Sequence, residues 1–332
     1  MRCWQKQLSS DPTSPLISSG NRAVGYFVKR DLLEEKVESI SRIWQLPEVL
    51  AILKKQEPDG SWPYPGRKAV SYPRHHHSLL ETWKRFRLLV DRYEFTNEHP
   101  AAKKAADFIF SCQTEDGDIR EFLANQYATY YTGAVMATLI KAGYEDDPRI
   151  ERGFKWLLSM RQNDGGWTIP ILTRKFDRKT MYKLTSQYAK PVQPDQTKPF
   201  SHNWTDMVLR AFAAHPRYRK SKEAKTAADL LKSRFFQADS YSSYRAASYW
   251  VRFLFWWPNL VTALDSLSLI GYPEDDQDIK KALNWLVQNQ EPNGLWRTTY
   301  VNGKKESENE RNKELRLWLT LAISRIFKRY YG

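Results

Sequence analysis

Apolar residues recur along the chain at the three-and-four spacing of a helix face, in two kinds of segment. In the first, such as 152–160 with Phe154, Leu157 and Leu158, or 281–288 with Leu283, Leu286 and Val287, one side is apolar and the other carries Lys, Arg or Glu. That pattern predicts helices with one face in water. In the second, over 78–93, 127–142, 204–214, 259–270 and 315–327, apolar residues occupy most of the circumference, as expected of helices lining an interior. The two kinds alternate, so the pattern predicts an all-α protein with an outer and an inner layer. A helix over 26–44 starts the fold, after an irregular N-terminal segment, 1–25.

The outer segments share more than periodicity. Lys155-Trp156-Leu157-Leu158-Ser159-Met160-Arg161-Gln162-Asn163-Asp164-Gly165-Gly166-Trp167 and Asn284-Trp285-Leu286-Val287-Gln288-Asn289-Gln290-Glu291-Pro292-Asn293-Gly294-Leu295-Trp296 follow one template. Weaker copies run through Gln56, Asp59, Gly60 and Trp62 and through Gln113, Asp116 and Gly117, and a degenerate one ends near Gln237. These glutamines recur at a period of about fifty, with one longer step, and such self-similarity marks stacked helical units. The Asp-Gly or Asn-Gly pair stops each outer helix, because glycine accepts the left-handed turn found there. The return loops are also alike: Gly143-Tyr144-Glu145-Asp146-Asp147-Pro148 matches Gly271-Tyr272-Pro273-Glu274-Asp275-Asp276, with acids placed to cap the next helix. Two stretches break the period. One is 168–200, with Pro170, Pro191, Pro194 and Pro199, a loop long enough to act on function; the other is 240–257, dense in aromatics and arginine.

Composition narrows the function classes. The chain has 332 residues, a net charge of +14 and two cysteines. It is long enough to bury one sizeable core, expected over 26–332 with the insertion at 168–200. Cys3 and Cys112 make neither a disulfide framework nor a zinc cluster, and no metal or cofactor is expected. No apolar run approaches the roughly 18 residues of a spanning helix, and 1–20 lacks the apolar core of a secretory signal, so a cytoplasmic location is expected, with a membrane-peripheral one left open. The cations are spread along the chain apart from Arg325, Lys328 and Arg329. That disfavours nucleic acid as a partner and leaves peripheral contact with an anionic membrane open.

The Gln followed by Gly-x-Trp or Gly-Trp, behind an aromatic and an aliphatic residue, resembles the repeat of the prenyltransferase and squalene oxidase superfamily, which includes terpenoid cyclases and protein prenyltransferase β subunits. The resemblance covers about 45–330 and implies an α/α toroid of about five to six helical hairpins around a cavity. It does not carry the known chemistry across. Class II cyclases place Asp-x-Asp-Asp at an inner-helix start, where this chain reads Ser201-His202-Asn203-Trp204-Thr205-Asp206, with one carboxylate. The zinc ligands of the prenyltransferases have no counterpart either.

What remains is the set of inner-helix starts that the repeat aligns: His75, His76 and His77; Tyr127, Tyr130 and Tyr131; His202, Trp204 and Asp206; and Phe255, Trp256 and Trp257, with Asp265 two turns further in. The aromatics and the three consecutive histidines suit contact with an apolar ligand or a cation, although aromatics at such positions also serve as core. His202, Asp206 and Asp265 are the candidate acid/base groups. Asp265, among Leu264, Leu267 and Leu269, reads either as a hydrogen-bonded interior group or as a carboxyl of raised pKa. The resemblance thus implies an apolar small molecule, an isoprenoid above all, bound or transformed in an aromatic-lined cavity. A non-catalytic binding or scaffold toroid and a saccharide lyase or hydrolase on the same architecture are the other readings.

Overall fold

The computed structural model describes residues 2–67, 73–241, 244–253 and 256–332, and Phe255 lies outside them. Among these residues there is no strand, only isolated bridges. The α-helices, in chain order, are α1 (Thr13–Ser18), α2 (Arg22–Phe27), α3 (Ser41–Trp44), α4 (Pro47–Leu53), α5 (His76–Tyr93), α6 (Pro100–Ser111), α7 (Thr129–Leu139), α8 (Pro148–Ser159), α9 (Arg178–Ser186), α10 (His202–Ala214), α11 (Lys222–Lys232), α12 (Leu260–Ile270), α13 (Gln277–Gln288) and α14 (Glu310–Tyr331). The chain divides into two compact units: a mid-chain unit, Ile40–Ala227, and a terminal unit made of Met1–Ser39 and Ala228–Gly332.

In the mid-chain unit the two helix kinds separate as their patterning requires. Outer helix α8 buries Ile150, Gly153, Phe154 and Leu157 as a stripe at helical spacing, with Trp156 beside it, and α6 buries Ala102, Ala105, Ala106 and Ile109 in the same way, with Phe108 and Phe110 flanking them. Inner helix α7 is buried all round except at Tyr131, and it packs between α5 and α10. Its approach to α10 is close: a Cβ on Gly133 would lie 2.5 Å from the Val208 Cα. Inner helix α5 is more polar than its pattern suggests, burying Glu81, Arg87 and Arg92 beside Trp83 and Phe86.

The repeat is a set of hydrogen bonds. Trp62 and Trp167 donate Nε1 to Ile52 and Leu157, carbonyls in the last turn of their outer helices, at 2.8 and 2.7 Å. Gln56 Nε2 donates to its own turn at Gly60 and onward to Ala101, near the start of α6; Gln113 does the same with Gly117 and Arg149, near the start of α8. The tryptophan therefore satisfies the freed carbonyl and the glutamine ties one unit to the next. Gly117, at φ +110°, turns so close to α8 that a Cβ would sit 2.5 Å from the Arg152 carbonyl oxygen, so the turn has no room for a side chain.

Gln162 departs from this scheme because the insertion follows it. Its Nε2 donates to Asp195 and Lys198 inside the insertion, while the Arg161 guanidinium takes the Gly165 carbonyl. The insertion is pinned before α9, where the Thr168 carbonyl accepts from the Thr129 hydroxyl, and after it, where Gln126 Oε1 accepts from Val192 N, Gln193 donates to the Tyr127 hydroxyl, and Phe200 N donates to Asp164. Between the pins it carries α9, which buries no residue.

In the terminal unit Trp296 Nε1 donates to Leu286 in the last turn of α13. Gln290 donates to Gly294 and to Ser10, and accepts from Ser10 N. Residues 9–14 therefore stand where the next outer helix would begin. The segment expected to be irregular, 1–25, instead holds a 3-10 turn (Trp4–Gln7), α1 and most of α2, with Trp4, Leu16 and Val24 buried. The helix expected over 26–44 is broken: α2 passes into a π turn, Val28–Leu32, Glu34 takes φ +54°, and regular structure resumes only at α3.

Candidate functional site

Five aromatic side chains form a continuous wall in the mid-chain unit. Trp83 of α5 lies 6.0 Å from Phe122 and 5.4 Å from Tyr131, both edge-on; Phe122 stacks on Tyr131 at 4.1 Å; Tyr131 and Tyr130 of α7 are 4.5 Å apart; and Tyr130 meets Trp204 of α10 at 4.6 Å. Inner-helix starts position three of the rings, because consecutive Tyr130 and Tyr131 open α7 and Trp204 is the third residue of α10. Ser201 holds that start, accepting from Trp204 N as N-cap. Phe122 sits in the preceding loop, directly after Glu121, whose φ of +79° is rare for a residue with a side chain.

Charge lies beneath this wall. The Arg87 guanidinium is 4.8 Å from the centre of the Trp83 ring. Burial pulls its pKa down to about 10, and Arg210 and Arg92 push the same way while Asp91 opposes. It stays cationic at neutral pH. Asp206, fully buried, accepts from Arg210 Nη2 at 2.5 Å and Nε at 3.1 Å. The carboxylate nearest the place of the cyclase acid motif therefore lies against a guanidinium one turn along its own helix.

The other predicted residues are placed as follows. His202, 5% exposed, is the first residue of α10. His75 precedes α5, and its backbone N–H donates to Glu121 Oε2 at 2.8 Å, with Nδ1 at 3.4 Å from the same oxygen; His76 Nδ1 lies 2.7 Å from the Glu121 carbonyl. His77 packs on Tyr64 at 4.7 Å. Tyr127 leaves the wall for Trp156 of α8, at 5.7 Å. Trp256, Trp257 and Asp265 belong to the terminal unit. The two tryptophans are 4.9 Å apart, and Trp257 meets Tyr244 at 4.2 Å. Asp265 is not in an apolar wall: its side chain is 42% exposed and paired with Arg329. Leu264 and Leu267 turn inward and are buried while Asp265 is not, and Leu269, four residues on, shares its half-buried face.

Trp83, Phe122, Arg87 and Glu121 were not among the candidates. Trp83 falls two turns inside α5, away from its start, and Phe122 and Glu121 lie in a loop that no helical periodicity marks. Among the described residues no three His, Cys, Asp or Glu side chains gather as metal ligands, and no helix is long and apolar enough to cross a membrane.

Helical pairs joined by Gln and Trp hydrogen bonds define a repeat protein of the all-α class. Residues 125–323 match the squalene-hopene cyclase C-terminal domain. The chain belongs to that family, and its fold class is the α/α toroid class that the repeat implied. None of the curated proteins compared matches the chain. Similar solved structures include a protein from Actinoplanes, 16% identical, covering 88% of this chain and 87% of its own at a TM-score of 0.42. Another is a variant of the type II terpene cyclase MstE from Scytonema in complex with geranylgeranyl dihydroxybenzoate, 12% identical, covering 87% and 98%, TM-score 0.39. A further MstE variant, in complex with merosterolic acid A, is 14% identical, covering 87% and 96%, TM-score 0.36.

Proposed function

We propose that the protein binds an isoprenoid, or an apolar chain of similar shape, against the aromatic wall of the mid-chain unit. The observation that carries this reading is the unbroken contact from Trp83 through Phe122, Tyr131 and Tyr130 to Trp204. Such a wall gives apolar carbon a large contact at about 0.8 kcal/mol per buried methylene, and its π faces favour positive charge on a ligand. Membership of a terpenoid cyclase family supports the same ligand class. The Asp206–Arg210 pair argues for binding, or for chemistry begun elsewhere, over protonation by Asp206.

The test is a titration of the full chain with farnesol and with maltoheptaose, followed by tryptophan fluorescence. Farnesol should quench saturably, and Trp204→Ala should weaken its binding at least about tenfold, the equivalent of roughly 1.4 kcal/mol. Tyr182→Ser, on the exposed face of α9, should leave farnesol binding unchanged. Binding of the saccharide alone, or farnesol binding indifferent to Trp204→Ala, would refute the assignment.

A further inference from the structure

The insertion between α8 and α10 leaves a patch that the core does not use. Of the large apolar or aromatic side chains exposed among the described residues, Tyr182 at 68% and Tyr188 at 71% stand furthest into water, and Phe176 of the same stretch is exposed too. Between 174 and 190 the chain has six Lys or Arg and one carboxylate, Asp177. That carboxylate is engaged as the N-cap of α9, accepting from Thr180 N at 2.9 Å and from the Thr180 hydroxyl at 2.8 Å. Arg174 reaches Asp195 at 3.8 Å, but among the described residues no carboxylate pairs with Arg178, Lys179 or Lys183.

Helix geometry sorts these side chains. Met181, Leu184 and Thr185 share one face of α9 and are half-buried, whereas Arg178, Lys179, Tyr182 and Lys183 share the opposite, exposed face. A tyrosine ringed by three cations, with Phe176 and Tyr188 flanking the helix, has the chemistry of a headgroup layer: cations for lipid phosphates and carboxylates, and rings that sit at the depth where water gives way to acyl chain. A nucleic-acid face would want a longer basic stripe, and apart from Arg325, Lys328 and Arg329 the remaining cations of this chain are scattered. The pinned flanks present the helix without need of refolding.

We propose that α9 and its flanks, 174–190, form a docking surface for anionic lipid bilayers. The surface is independent of the isoprenoid reading and stands whether or not that reading does.

The experiment is co-sedimentation of the full chain with phosphatidylcholine vesicles, with and without phosphatidylserine. Wild type should sediment with the phosphatidylserine vesicles and stay in solution with phosphatidylcholine alone, and binding should fall in 1 M salt, where screening reaches only about 3 Å. Lys179→Glu with Lys183→Glu should weaken binding at least about tenfold, and Tyr182→Ser with Tyr188→Ser should weaken it with the charge intact. Lys54→Glu with Lys55→Glu, an equal charge change on other exposed lysines, should leave it near wild type. All four substituted positions of α9 and its flank are exposed, and thermal melts confirm that each variant folds. Failure to bind phosphatidylserine vesicles, equal loss in the Lys54/Lys55 variant, or wild-type binding by both α9 variants would overturn the proposal. So would saturable binding of an oligonucleotide through Lys179 and Lys183 by a chain that ignores the vesicles.

Discussion

A threonine on several inner helices fastens the turn that precedes it. Thr82, Thr132, Thr205 and Thr320 accept through Oγ1 from the backbone N–H of Trp62, Ile119, Trp167 and Trp296. At Thr205 the hydroxyl is fully buried and also bonds the Trp167 carbonyl. Thr205→Val keeps the shape but strands a buried N–H, so it should cost about 1–3 kcal/mol in urea unfolding, with Thr205→Ser recovering most of the loss. These threonines were not legible in the sequence, because they lie outside the Gln–Gly–Trp stretch and a lone threonine in an apolar helix has no pattern of its own. The cysteines give a second residue-scale test. Burial pushes the Cys112 thiol up to about 12, whereas Cys3 is exposed. A thiol reagent at pH 8 should therefore label Cys3 alone in the native protein and both after denaturation; labelling of Cys112 in the native state would contradict its burial.

Helix ends carry the pH dependence. Asp147 caps α8, and its carboxyl lies below the ordinary value of 3.8 because Arg149 donates to it from both side chain and backbone. Asp276 caps α13 and is also lowered: burial pushes it up, but the hydrogen bond from Lys232 and the backbone N–H groups of Asp278 and Ile279 outweigh that. A carboxyl lower in the folded than in the unfolded chain adds stability that is complete above the unfolded value and is lost as pH falls through the folded one. The melting midpoint should therefore drop as pH falls below about 4, and Asp147→Asn should flatten that drop while lowering stability at neutral pH. A midpoint indifferent to acid would contradict these caps. Element positions were largely legible. The expected inner helices at 78–93, 204–214 and 259–270 correspond closely to α5, α10 and α12, because apolar periodicity and Gly stops are local signals. The N-terminus was not legible: α1 has six residues, too few to show a stripe, and its place depends on Gln290, hundreds of residues away. The break after α2 was hidden because Val28 and Leu32, both buried, continue the helical spacing through the π turn.

On the scale of the molecule, the family match from 125 to 323 and the repeat agree on the fold class, while the chemistry follows from side chains that the repeat does not specify. The aromatic half of the site was partly legible, since aligning inner-helix starts picks out Tyr130, Tyr131 and Trp204. The acidic half was read less fully: Arg210 pairs with Asp206 from four residues along the same helix, a spacing the sequence itself offers, whereas Arg329 reaches Asp265 from a distant helix, which no local pattern marks. The net charge of +14 reads as a scattered basic surface with one concentrated, aromatic patch at α9. The central claim is that the aromatic wall holds an isoprenoid, and mass spectrometry of organic extracts from the gently purified full chain, produced in an isoprenoid-rich host, tests it most directly. The account predicts near-stoichiometric isoprenoid in wild type and a marked loss in folded Trp204→Ala; an isoprenoid-free wild type that takes up none when supplied, or equal loading of the variant, would contradict it.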